Sequence, residues 1–160
     1  MQWATRKGLK VDRVASIWLI RRYIDPSGEI FYVDDNEIDS LTQKGVLTFD
    51  AEKAKYRHDE DELLGKYGSK CTFQVLLDEY NLTGKDPALD FMGQILYAAD
   101  IAHRKGIFEP REGYGLWAIA QGFAITTPND DEKLAKEFPI YDALYAYCQY
   151  ITRDLSNHDK

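Results

Sequence analysis

Apolar positions along this chain recur at helical spacing in several separate blocks, and two short runs recur at strand spacing. In residues 12–26 the apolar Val14, Ala15, Ile17, Trp18, Leu19, Ile20, Tyr23 and Ile24 leave no wide polar face, the pattern of a helix enclosed by its own domain. Asp12 stands where an N-cap would, and Asp25 before Pro26 is biased out of the helical region, so this helix should stop after about three turns. Ahead of it, residues 3–10 read as an extended arm anchored by Trp3. Residues 29–33 and 46–49 read as strands, the first closing on Asp34 and Asp35 and the second on Asp50. The short helix or turn expected over 36–45 is a brief link for a parallel crossover, so the spacing leaves the pairing direction open.

The second half of the chain is a succession of helices. Thr72 is a suitable N-cap for residues 73–80, whose Phe73, Leu76, Leu77 and Tyr80 form one stripe. Asp86 followed by Pro87 has the chemistry of a helix start, and the next helix is expected to reach about residue 103, with Leu89, Met92, Leu96 and Ala99 inward. Residues 113–126 should bury Leu116, Ile119, Ala120 and Phe123. A short helix over 131–137 is expected to end at Pro139, followed by a last helix over 140–155 and a fraying tail at 156–160. The polar stretch 51–57, the acidic run at 59–62, and Gly65 and Gly68 read as a weakly ordered loop up to Lys70. The expected architecture is a helix-dominated α+β domain over 1–160, with about six helices around a sheet of two or three strands.

Composition narrows the function classes. The chain has 160 residues with 44% hydrophobic content, enough for one core and short for two. Its 27 acidic and 20 basic side chains give a formal charge of -7, which repels a phosphate backbone, so direct nucleic acid binding is not expected. The longest apolar stretches are interrupted by charge well before eighteen residues and the start lacks an apolar signal core, so the expected setting is cytoplasmic, without a membrane partner. Cys71 and Cys148 form no C-x-x-C pair and read as reduced thiols. Serine-hydrolase elbows, phosphate-binding glycine loops, dinucleotide fingerprints and H-E-x-x-H are missing, so no motif assigns a reaction.

Two groups of residues could carry chemistry. Arg13, Arg21 and Arg22 lie on the apolar first helix and Arg6 on the arm before it. Each guanidinium keeps its charge, so it needs carboxylates, backbone carbonyls or an anion reached through a cleft. Asp142 in the last helix is one such acidic partner. Asp100 and His103 stand three apart at the inward end of a helix, where they could share a divalent transition metal such as zinc, manganese or iron, or Asp100 could simply orient the imidazole. His58, with Asp50 close in sequence, could complete such a set, and it could equally be a surface histidine beside acids.

Longer segments carry a family resemblance. Trp3-Ala4-Thr5-Arg6, the run from Val11 to Pro26, Phe49-Asp50, His58, Cys71-Thr72-Phe73, Ala99-Asp100 and Ile140-Tyr141-Asp142-Ala143-Leu144-Tyr145 together resemble the ChrB C-terminal domain family, which is linked to chromate resistance. Two places depart from its pattern: Gln74 stands where many relatives carry an acid, and the stretch at 59–70 is longer and more acidic than usual. The resemblance implies a short form without the N-terminal region of longer members, where DNA contact would reside. It further implies a small anion as partner, with chromate the first candidate. Arg6, Arg13, Arg21 and Arg22 would bind the oxyanion, and His58, Asp100 and His103 would hold a metal. The alternative implied role is a non-catalytic anion sensor or protein-binding module.

Overall fold

The run Trp3-Ala4-Thr5 is fully buried, which a strand achieves only with neighbours on both edges and cover on both faces. The structure, a computed structural model, describes residues 1–60 and 69–158, apart from the side chains of 59, 60, 69, 103, 105 and 154–158. In it β1 (Gln2–Arg6) is the centre of a three-stranded sheet, with β2 (Glu29–Val33) on one side and β3 (Leu47–Thr48) on the other. Both pairings are parallel, Trp3 lying opposite Ile30 and Leu47. The segment expected as an arm thus supplies the central strand, and the direction left open by spacing is settled. A two-residue antiparallel pair, β4 (Asp59–Glu60) and β5 (Ser69–Lys70), brackets residues 61–68. Most of the loop expected to be weakly ordered falls on 61–68, outside the described residues.

Between β1 and β2 runs α1 (Val11–Leu19), all nine residues buried, extended by a π-helical turn over Ile20–Ile24. Lys10 is the N-cap, so the expectation that Asp12 caps its own helix is corrected. The helix begins two residues earlier because the Asp130 carboxylate accepts from the Gly8 and Leu9 N–H groups, both at 2.8 Å, and fixes the chain just before it. Asp12 then lies in the first turn with its carboxylate free to reach another element. From β2 the chain returns through α2 (Ile38–Gln43) to β3 on the far side of β1. Ile38 joins Ala51 and Ala54 in a cluster separate from the main core, which gathers Trp3 and α1 with the later helices.

Those later helices are α3 (Thr72–Glu79), α4 (Pro87–Asp100), α5 (Glu112–Thr126) and α6 (Asp130–His158). With α1 and α2 they make six α-helices among the described residues, as the patterning indicated. Asp86 caps α4 by accepting from the Ala88 N–H at 2.9 Å. α4 stops at Asp100 and gives way to a 3-10 turn over Ala102–Lys105, so His103 falls outside the regular helix. The break expected at Pro139 is absent: α6 passes through it and continues to His158, into the stretch expected to fray. Pro139 removes one N–H donor from the ladder, but buried Leu134 before it and Tyr141 and Cys148 after it pack in the same core. The Tyr141 hydroxyl also donates to the Val11 carbonyl at 3.0 Å, tying α6 to the start of α1. Ile119, expected inward, is instead exposed on α5.

Candidate functional site

When strand order reverses about a central parallel strand, the crossovers diverge and leave a crevice at the carboxyl ends of the strands. Here that crevice lies beyond β1, which ends at Arg6, and β3, which Asp50 follows by two residues. Asp50 adopts a left-handed backbone with φ of 51°, a region that aspartate visits more readily than most residues. Its Oδ2 accepts from Arg13 Nε at 2.6 Å, and Thr72 Oγ1 donates to its Oδ1 at 3.3 Å. Arg13 Nη1 also donates to the Lys7 and Gly8 carbonyls at 3.0 and 2.7 Å, so this buried guanidinium is spent on the fold.

Asp12 reaches from α1 to the start of α3. Its two oxygens accept from the Thr72 N–H at 2.6 Å and the Phe73 N–H at 3.0 Å, capping α3 from sixty residues away. Thr72 therefore does not act as the expected N-cap; Cys71 occupies that position. Beyond β3 the backbone turns back so that Tyr56 bridges Phe49, and this sets His58 over the crevice. His58 Nε2 lies 3.1 Å from Asp12 Oδ2, 3.2 Å from Asp50 Oδ1 and 3.4 Å from Asp100 Oδ2, the last carboxylate arriving from the end of α4.

One imidazole among three carboxylates has predictable electrostatics. Burial alone would lower the His58 pKa, but hydrogen bonds to Asp12 and Asp50 and their charges push it up to about 10. Burial acts to raise Asp50, yet contact with His58 and Arg13 holds it below the usual carboxylate range. Asp100 moves the other way, to about 7, through burial and then through the negative charges of Asp12 and Asp50. Cys71 is buried beside the same carboxylates and its thiol is raised well above its ordinary value, first by burial.

Above this floor opens a cavity of about 530 Å³ lined by Arg6, Arg57 and Arg104 together with Asp50, Glu52 and His58. Three guanidinium groups around one opening, beside the Asp50 and Glu52 carboxylates, contrast with the charge of -7 on the whole chain.

The sequence model of the family described as ChrB, C-terminal domain, matches residues 3–148. The chain belongs to the ChrB C-terminal domain family. It is 34% identical over 146 residues to Protein ChrB of Cupriavidus metallidurans, an alignment covering 91% of this chain and 40% of that protein. The chain therefore spans well under half the length of this curated relative. No solved structure matches it. All the residues of the crevice fall within the matched part of the ChrB domain.

Within this ChrB domain the residues singled out by sequence are distributed unevenly. His58 and Asp100 come together, while the side chain of His103 lies outside the described residues. Among the arginines only Arg6 lines the cavity; its Nε donates to the Asp50 carbonyl at 3.2 Å. Arg13 stands behind Asp50 without lining the opening, Arg21 is exposed, and Arg22 pairs with Asp142 at 2.7 Å on the outer side of α1. The four are not gathered because they sit on three successive elements, and Arg13 and Arg22 take acceptors within reach, Asp50 and Asp142. Asp12, Arg57 and Arg104 escaped the sequence reading. A carboxylate in a helix without a wide polar face was the signal for Asp12; the two arginines stand in polar segments and carry none.

Proposed function

We propose that this domain serves chromate resistance by binding a small tetrahedral oxyanion in the arginine-rimmed cavity, above a divalent transition metal held by Asp12, Asp50, Asp100 and His58. The observation that carries the reading is His58 Nε2 within 3.4 Å of oxygens from three carboxylates, in a cavity wall that His58 and Asp50 share with three arginines. Ligands about 2.1 Å from a zinc-like ion stand roughly 3.0–3.4 Å from one another in octahedral or tetrahedral arrangement, the range of the three distances from His58 Nε2; Asp100 meets this range at His58 and stands outside the mutually close group formed by the other three. Asp12, Asp50 and His58 each offer an atom within 4.8 Å of the others. His103 enters the proposed ligand set on its sequence position alone.

The chain's own groups divide the work. Arg6, Arg57 and Arg104 would neutralise and orient the oxyanion by forked hydrogen bonds, and Arg13 would keep Asp50 ionised and aimed. A bound metal would supply Lewis-acid polarisation of an oxygen at the floor. A second, metal-free reading is favoured by the donors already satisfying Asp12 and Asp50: His58 then remains an imidazolium and the domain acts as a non-catalytic anion sensor.

Elemental analysis of the purified protein, before and after incubation with zinc, manganese or iron, separates the two. About one ion per chain, lost in a His58→Ala, Asp100→Ala double variant, supports the metal reading; a protein that never takes up metal refutes it. Calorimetry with chromate and with sulfate on Arg57→Ala and Arg104→Ala tests the anion rim. Unchanged affinity in both variants would sink it.

A further inference from the structure

The rim of the cavity carries a carboxylate that its arginines leave unpaired. Glu52 lines the same opening as Arg6, Arg57 and Arg104, yet among the described residues its side chain takes part in no hydrogen bond or ion pair. Its place is set by the backbone. Residues 51–54 form a tight turn closed by the Ala54 N–H on the Ala51 carbonyl at 3.0 Å, and both alanines are buried in one cluster with Ile38. The Thr42 hydroxyl donates to the Lys53 carbonyl at 3.3 Å and the Lys55 N–H to Thr48 Oγ1 at 2.9 Å, so the turn that presents Glu52 is pinned from two elements. The other carboxylate of the lining, Asp50, is already engaged: its Oδ2 accepts from Arg13, and its Oδ1 accepts from Thr72 and lies 3.2 Å from His58 Nε2. Glu52 is therefore the carboxylate in this wall with both oxygens open.

An oxyanion held by the guanidinium groups meets this carboxylate as a like charge, unless one of its own oxygens carries a proton that can be donated to Glu52. Building on the oxyanion reading above, on which it rests, we infer that Glu52 determines specificity: the cavity takes tetrahedral oxyanions that carry a proton, such as hydrogen chromate and hydrogen phosphate, and rejects fully deprotonated sulfate. Chromate and sulfate are dianions of the same shape, and arginines read shape and charge, which the two share. The proton separates them. Hydrogen chromate is a weak acid that persists near neutral pH, whereas hydrogen sulfate is strong enough to be fully ionised there. An anion with the proton gains a hydrogen bond to Glu52, and one without it leaves like charges facing each other, so the discrimination has an attractive and a repulsive part.

Calorimetry on the full chain with sodium phosphate and with sodium sulfate at mildly alkaline pH isolates the proton, because both are then tetrahedral dianions and only phosphate carries one. Phosphate is expected to bind at least about tenfold more tightly than sulfate. In Glu52→Gln the ratio should fall to within about twofold, chiefly through a gain for sulfate. Circular dichroism should stay unchanged, because the Glu52 side chain is exposed and unpaired. Equal affinities in the parent chain would overturn this inference and leave the anion cavity standing. A Glu52→Gln chain that gains equally for both anions would overturn it too, by making Glu52 a general electrostatic brake. If phosphate, sulfate and chromate all fail to bind the parent chain, the anion cavity falls and this inference falls with it.

Discussion

Glu137 on α6 is 3% exposed, and its Oε2 has no hydrogen-bond partner among the described residues. Lys133, one turn earlier, directs its ammonium to the Leu9 carbonyl at 3.1 Å, so it only partly offsets the burial. The carboxyl is accordingly raised from 4.5 to about 7, burial being the main cause. A raised acid binds its proton more tightly folded than unfolded, so its contribution to stability is full below pH 4.5 and is lost as pH rises through 7. A shift of that size corresponds to about 3 kcal/mol against the charged form. Glu137→Gln keeps the shape and cannot ionise. At pH 8 it should gain about 2–3 kcal/mol, or roughly 4–10 °C in melting temperature for a domain of this size. At pH 4.5 the two proteins should agree within about 0.5 kcal/mol. Urea denaturation at the two pH values measures both. A difference independent of pH would refute the argument, and so would a variant less stable than the parent at pH 8, which would make the Glu137 and Lys133 charges a net stabilising pair.

Asp12→Ala removes the cap on two α3 N–H groups and one neighbour of His58, and should cost about 2–4 kcal/mol in chemical denaturation. Gly113→Ala pushes a methyl into Ala98 and should lower stability by about 1–3 kcal/mol. Gly122→Ala has open space and should raise it by up to about 1 kcal/mol in dilute solution, where thermal melts compare the two. In metal-free protein the His58 ring signals should stay those of an imidazolium from pH 6 to about 8, because its pKa is held near 10. The stabilisation from its carboxylate contacts should fade as pH rises through 10, and a ring titrating near its ordinary value in side-chain NMR would remove the carboxylate cluster from consideration.

Elements with a stripe and a local start signal were legible from sequence: Asp86-Pro87 announced α4, and Phe73, Leu76 and Leu77 announced the inner face of α3. What stayed hidden depends on partners distant in the chain. Three consecutive buried residues at 3–5 carry no period, so β1 could be recognised as extended but not as the central strand. Pro139 reads locally as a break, and only packing on both sides of it shows why α6 continues. His58 and Asp100 were legible as chemistry-bearing types near segment ends, yet their meeting depends on the reversal of strand order. Asp12 was misplaced because an aspartate at a helix start usually caps its own helix, and here a helix sixty residues later needs it more.

That reassignment bears on how the crevice works. Asp12 and Asp50 both accept hydrogen bonds from groups that hold the fold together: the start of α3 in one case, the Arg13 guanidinium in the other. They are fixed whether or not anything is bound, since moving either would strip a buried donor of its partner. Asp100 and His58 are different: burial and then the fixed pair push Asp100 towards its neutral form, while the same pair overcomes burial and pushes His58 towards its cation. Any cation entering the floor meets two immobile carboxylates and must compete with the protons on the other two groups, so its affinity rises with pH. The arginine rim works in reverse, because an anion above the floor favours the imidazolium below it. Cation and anion readings of this site are thus coupled through one proton on His58, and the structural carboxylates set the field in which it moves.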